Sequence, residues 1–147
     1  MTIMPKQIRS SGFTLLEMLV VLLIIGLLAA LVGPRLFSQV DKARVDTARV
    51  QMKSLQGSLE TMRLDIGRFP TTDEGLQMLN RPPLDEKIRP RWRGPYLAEE
   101  VPLDPWGNPY QYSIPGRGGK PFALWSFGAD GKPGGTDYDA DIGDLPP

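Results

Sequence analysis

Hydrophobic and polar positions divide this chain into three unlike stretches. From Phe13 to Gly33, twenty-one residues carry one charged side chain, Glu17; the next charge, Arg35, follows Gly33-Pro34. A helix of that length rises about 30 Å, the thickness of a bilayer's hydrocarbon core. The run therefore predicts a membrane-spanning helix over residues 13–34. Beyond Pro34 the period changes. Val45, Ala48, Met52, Leu55, Leu59, Met62 and Ile66 recur at alternating spacings of three and four, the signature of an amphipathic helix with one apolar seam. Lys42, Arg44, Asp46, Arg49, Lys53, Glu60 and Arg63 mark its solvated face, and Gly67 and Pro70 are its stop signals. The two helices together cover about 54 residues, or about 80 Å if unbroken.

The seam has two readings: it packs on the chain's own globular domain, or its first part, from Asp41 to Val50, faces neighbouring copies. Gly26, Gly33 and Pro34 are weak points, since proline removes a helical hydrogen bond and glycine adds backbone freedom. They predict either a tolerated kink or local melting of Gly26–Pro34 when copies pack together.

The remainder is rich in turns. Thr71 or Thr72 is placed to cap a short helix through Leu76, Met78 and Leu79, with Glu74 in its first turn. Pro82, Pro83, Pro90 and Pro95 make residues 80–95 an irregular connection, and Leu103 to Pro109 is turn chemistry. Tyr110-Gln111-Tyr112-Ser113-Ile114 alternates like a strand, and Phe122-Ala123-Leu124-Trp125-Ser126 is its hairpin partner across a glycine-rich loop. The fold class is α+β, a long N-terminal helix on a small antiparallel sheet. Trp106, Trp125, Tyr110 and Phe122 are read as core or interface aromatics.

Composition narrows the chemistry. Lys6 and Arg9 aside, 15 basic residues stand against 17 acidic ones, which leaves no electrostatic footprint for nucleic acid. The 147 residues include no His and no Cys, so the commonest general base, disulfides and thiolate chemistry are excluded. A small exported domain without disulfides needs another staple, such as a metal or oligomerisation.

Residues 1–12 contain Lys6 and Arg9 and no acid, so the positive-inside rule keeps them cytoplasmic and sends the C-terminal bulk across the membrane. The apolar run is too long for an ordinary secretory signal, and the plausible processing point, Gly12, lies ahead of it. Cleavage there removes the leader and leaves the helix on the mature chain. Glu17 is then the anomaly, because a carboxylate inside an apolar helix costs a few kcal/mol and calls for a partner. It either snorkels to the headgroups or pairs with the new α-amino group of Phe13 on a neighbouring copy, which would make it a register device.

Near the C-terminus Asp130, Asp137, Asp139, Asp141 and Asp144 are interspersed with Gly131, Gly134 and Gly135. The bland reading is a solvated acidic turn. The sharper one is a hard-cation loop, since Ca²⁺ takes six to eight oxygens in a flexible arrangement and would offset the mutual repulsion of the carboxylates. The spacing does not match an EF-hand.

Gly12-Phe13-Thr14-Leu15-Leu16-Glu17 resembles the class III signal of type IV pilins and type II secretion pseudopilins. Arg68 to Leu76, Asp104 to Tyr110 and Ser126 to Lys132 are similar to three blocks of the major pseudopilins of type II secretion, in the family's order. The family often ends in a Trp-containing tail, where this chain has Asp144-Leu145-Pro146-Pro147. The resemblance implies a type IV pilin-like fold with a Ca²⁺-binding C-terminal loop. It also implies cleavage between Gly12 and Phe13 by a prepilin peptidase, methylation of the Phe13 amine, and assembly roles for Glu17 and Pro34. The implied Ca²⁺ ligands are Asp130, Asp141 and Asp139, with Asp137 in reserve, and the carbonyls of Phe127 and Thr136.

On this reading residues 1–12 are the leader, 13–34 the membrane and filament-core helix, and 35–147 the periplasmic domain. The expected function is a non-enzymatic, inner-membrane-anchored subunit that polymerises with itself into the periplasmic pseudopilus of a type II secretion system. Its implied partners are the minor pseudopilins, the prepilin peptidase, and an inner-membrane platform with its cytoplasmic ATPase. The alternatives are a type IV pilin, a minor pseudopilin and, from another class, a signal-anchored periplasmic enzyme.

Overall fold

The apolar run and the amphipathic stretch form one element, helix α1, Leu15–Ile66, in a computed structural model that describes residues 12–147. Lys6 and Arg9 of the expected leader lie outside the described residues. The chain divides into two compact units, one reaching to Gln39 and one from Val40 to Pro147. In the first, α1 is helical through Gly26, Gly33 and Pro34, and its large apolar side chains from Leu15 to Phe37 are exposed. This part of α1 is long and apolar enough to cross a membrane.

In the second unit the seam is buried as its spacing predicts. Ala48, Met52, Leu55, Leu59, Met62 and Ile66 line the core, with Val45 packed at its edge. Each fully buried side chain of this size contributes roughly 1.5–3 kcal/mol. Gly67, at φ 87°, closes the helix by donating its N–H to the carbonyl of Arg63 at 2.8 Å. That left-handed conformation carries no Cβ penalty in glycine.

Behind the helix the chain reverses over a clasp. Arg68 grips Glu74 through two bonds, Nη1 to Oε2 at 2.7 Å and Nη2 to Oε1 at 2.9 Å. Thr71 N–H donates to Glu74 Oε2, and Glu74 N–H donates back to Thr71 Oγ1. The expected cap therefore exists, but it is spent on the turn at 71–75. The next element, Leu76–Leu79, is one 3-10 turn whose N-cap is Gly75, and it buries Leu76, Met78 and Leu79. The connection at 80–95 is irregular, as its prolines predict. It is tied down where Trp92 Nε1–H donates to the Met78 carbonyl at 2.9 Å, and where Tyr96 donates to Asp65 Oδ2 at 2.9 Å.

The sheet has three antiparallel strands in the order β1 (Gln111–Ser113), β2 (Ala123–Ser126), β3 (Ile142–Asp144). The first two are the predicted hairpin, paired Tyr112 to Leu124. The third, paired Trp125 to Gly143, has no counterpart in the sequence reading. Two tyrosines tie the sheet down: Tyr110 donates to Gln51 Oε1 of α1 at 2.6 Å, and Tyr112 to the carbonyl of Pro70, in the reversal after the helix, at 2.9 Å. Burial raises both phenols well above their ordinary range, so both stay protonated as donors. Phe122 stacks on Tyr112 and meets Phe69 at 4.9 Å between ring centroids. Tyr110 and Phe122 are core aromatics, Trp106 packs against that core, and Trp125 sits edge-on to Phe127.

The clasp sets a pH dependence. Arg68, with help from the Thr71 hydroxyl and N–H, holds the Glu74 carboxyl at about 2, below its ordinary 4.5. A depressed acid stabilises the fold above its unfolded value and loses that contribution as the pH falls towards the folded one. Such a shift is worth at most about 3 kcal/mol, and partial exposure reduces it to about 1–2. Thermal denaturation between pH 7 and 2 should show wild-type stability dropping below about pH 4.5. Glu74→Gln should be less stable at neutral pH and flatter across that window.

Candidate functional sites at the helix start and the aspartate loop

Thr14-Leu15-Leu16-Glu17 is a threonine followed three residues later by a glutamate, the sequence form of a capping box. The structure closes it: Glu17 N–H donates to Thr14 Oγ1 at 3.2 Å, and Thr14 N–H donates to a Glu17 carboxylate oxygen at 3.3 Å. Two amides at the start of α1 that have no helical acceptor are thereby satisfied. A negative charge at this end also complements the helix dipole. Glu17 thus has a partner inside its own chain, a role the sequence reading missed although its T-x-x-E spacing was in plain view. Gly12 and Phe13 lie just ahead of α1 and are exposed. Pro34 stands well inside the helix.

The aspartate loop connects β2 to β3 and folds back on itself. Ala129 N–H donates to the Tyr138 carbonyl at 2.9 Å. Gly134 and Asp141 exchange two bonds, Gly134 N–H to Asp141 Oδ2 at 3.0 Å and Asp141 N–H to the Gly134 carbonyl at 3.2 Å. Gly128, at φ 72°, lies so close to the returning arm that a Cβ there would sit 2.7 Å from the Ala140 carbonyl oxygen and 2.9 Å from that of Tyr138. Only glycine suits both that conformation and that approach.

Of the expected ligands, Asp130 accepts Lys132 N–H at 3.0 Å, and the Thr136 carbonyl accepts Asp139 N–H at 3.0 Å with a lone pair to spare. Asp130 and Asp139 are exposed, as is Asp137. Among the described residues no three acidic side chains converge closely enough to form a metal cluster. Asp141 differs from the rest. Its Oδ1 is one of four buried side-chain polar atoms without a hydrogen-bond partner among the described residues, and the only one on a carboxylate. A buried carboxylate oxygen without a donor calls for a cation or a proton. The expected donors are all oxygen, a set whose chemistry suits a hard divalent ion, although the other acidic side chains of the loop do not converge on Asp141 as they stand.

The loop is seated on a buried acid that sequence reasoning passed over as turn chemistry. Asp104 is 4 % exposed. Its Oδ1 accepts the N–H groups of Trp106 and Asn108 at 3.1 and 2.8 Å, and its Oδ2 accepts the hydroxyl of Ser126 at 2.5 Å. Ser126 Oγ in turn accepts the N–H of Gly128 at 3.1 Å. Asp144, at the end of β3, pairs with Lys120 and accepts from Gln56 Nε2, so the first residue of the segment that departs from the family's tail is held to the β1–β2 loop and to α1.

The sequence and the fold both resemble known proteins. Residues 35–145 match the family described as type II secretion system (T2SS), protein G, and residues 8–33 match the prokaryotic N-terminal methylation motif. The chain is 46% identical over 135 residues to a type II secretion system core protein G of Pseudomonas aeruginosa, covering 92% of this chain and 94% of that protein. It is 41% identical over 140 residues to the core protein G of Vibrio cholerae, covering 95% and 94%. Its fold matches a crystal structure of the major pseudopilin from the type 2 secretion system of enterohaemorrhagic Escherichia coli. The TM-score is 0.62 at 34% identity, covering 75% of this chain and 93% of that one.

Proposed function

From the premise that the chain belongs to the type II secretion system protein G family, we propose that it is the repeating subunit of an inner-membrane-anchored, periplasmic pseudopilus. The observation that carries this is the apolar half of α1, whose large side chains from Leu15 to Phe37 are exposed among the described residues. Such a surface is stable only in lipid or against other copies of itself. The chain therefore has two homes, the membrane before assembly and the fibre core after it. Its role is structural rather than catalytic. Minor pseudopilins, a prepilin peptidase, a membrane platform and a cytoplasmic ATPase are the partners that such a life cycle requires.

Cleavage between Gly12 and Phe13 would place a fresh amine one residue ahead of Thr14, the cap of α1. In the fibre, Glu17 would exchange its own chain's N–H for the methylated amine of a neighbouring Phe13, which fixes the register of one copy on the next. Pro34 and the glycines before it supply the points at which α1 can give way as copies pack.

The aspartate loop would hold Ca²⁺ through Asp130, Asp139, Asp141 and the carbonyls of Phe127 and Thr136. The ion would supply positive charge against the loop's carboxylates. The unpartnered Asp141 Oδ1 supports this reading. Asp141 already fixes one arm of the loop through Gly134, so it can tie both arms of the loop and β3 into one unit.

Intact-mass and N-terminal analysis of protein from its native membrane tests the central claim. We expect a chain that begins at Phe13 with one added methyl group. A chain retaining Met1 in cells with an active prepilin peptidase would overturn it.

The two roles of Glu17 can be separated. Glu17→Gln keeps the capping acceptor and removes the charge, whereas Glu17→Leu removes both. Both variants should fail to form fibres in a cellular assembly assay. Fibres from Glu17→Gln alone would show that capping, and not charge pairing, is what assembly needs.

Chelation of Ca²⁺ should lower the melting temperature of the full chain in detergent. At a hundredfold excess over Kd, the ion is worth about 2.7 kcal/mol. Asp141→Asn should melt at one temperature with or without chelator.

A further inference from the structure

Three of the groups around β2 form one line of hydrogen bonds that reaches the aspartate loop from behind. Asp104 lies in the turn between Leu103 and Pro109, a turn closed by Asp104 N–H to the Asn108 carbonyl at 2.8 Å and Gly107 N–H to the Asp104 carbonyl at 2.9 Å. The carboxylate is thus held by its own turn, with Oδ1 taken by two backbone amides. Oδ2 is left to the hydroxyl of Ser126, which is fully buried at the end of β2. A hydroxyl that gives its proton to a carboxylate has its lone pairs turned the other way, and one of them receives Gly128 N–H. Gly128 is the point at which the outgoing arm of the loop presses on the returning arm. The same turn meets the loop once more. A Cβ on Gly131 would lie 3.1 Å from the Asn108 side chain, so Asn108 backs the residue that comes after Asp130.

None of these residues is among the expected cation ligands, yet they fix both sides of the Phe127–Asp130 segment from which two ligands would come. The buried carboxylate also accounts for the polarity of the line. A neutral acceptor at 104 would hold Ser126 less firmly, because hydrogen bonds to charged groups are shorter and roughly twice as strong.

The geometry points to Asp104 and Ser126 as positioning residues for the cation loop: they preset the arm carrying the Phe127 carbonyl and Asp130 without touching the ion. This rests on the calcium reading above. Outer-shell partners of a metal site typically govern about 10–100-fold in affinity, which sets the size of the effect.

The test uses the full chain in detergent, titrated with Ca²⁺ by calorimetry, for wild type, Ser126→Ala, Asp104→Asn and Asp141→Asn. Amide exchange is followed in the metal-free chains. Ser126→Ala and Asp104→Asn should weaken Ca²⁺ binding by about tenfold or more. They should speed exchange of the Gly128 amide while the β1–β2 ladder keeps its protection. A merely structural loss would raise exchange along that ladder as well, and that pattern would count against the inference. Wild-type Ca²⁺ affinity in both variants, with binding lost in Asp141→Asn, would overturn the positioning role and leave the calcium reading intact. A wild-type chain that takes up no Ca²⁺ would remove both.

Discussion

Burial of the Met52–Ile66 seam is the constraint on which the soluble unit depends. A small sheet with strands of three and four residues needs an apolar face packed on something to be stable in water, and most helical stability in proteins comes from packing of the amphipathic face. Each supplies what the other lacks. The tyrosine hydroxyls, the Arg68–Glu74 clasp and the Gly67 stop all act at the junction between the two, where the chain must leave the helix and return over the seam. The family block from Arg68 to Leu76 is thus legible as mechanics: one residue pair locks the reversal, and Phe69 and Pro70 fill the space beneath it.

The same helix carries a second, opposite requirement in its first half, where the side chains stay uncovered. An exposed apolar surface of that extent calls for lipid or for other copies of the chain. Glu17 shows how economical the arrangement is. Its carboxylate closes the first turn of α1 within the single chain, so the charge has a hydrogen-bond partner there without any neighbour.

Much of this was readable from spacing. The 3-4 seam, the Gly67 stop and the Tyr110–Ser126 hairpin come from periods and turn residues, and the structure keeps them. Strand β3 was not readable, because Ile142-Gly143-Asp144 is short, contains a glycine and succeeds an acidic loop. Its strand character comes from pairing with β2 and not from local preference. The short helix expected after Thr71 shrank to a 3-10 turn because its cap is consumed by the reversal. The turn at Leu103–Pro109 was readable, but the burial of Asp104 was not, because its hydroxyl partner Ser126 comes from the end of β2, far along the chain. In the candidate loop, the richness in aspartate was visible, whereas the isolation of one carboxylate oxygen on Asp141 depends on how two arms of the loop close.

The place of β3 in the sheet has an implication for folding. Its partner β2 is complete once residue 126 is available, but the outer edge of β2 stays open until Ile142–Asp144 has paired with it. A chain whose aspartate loop has not closed therefore carries an unpaired strand edge, the kind of edge that recruits strands from other chains. Closing the loop and sealing the sheet are one event.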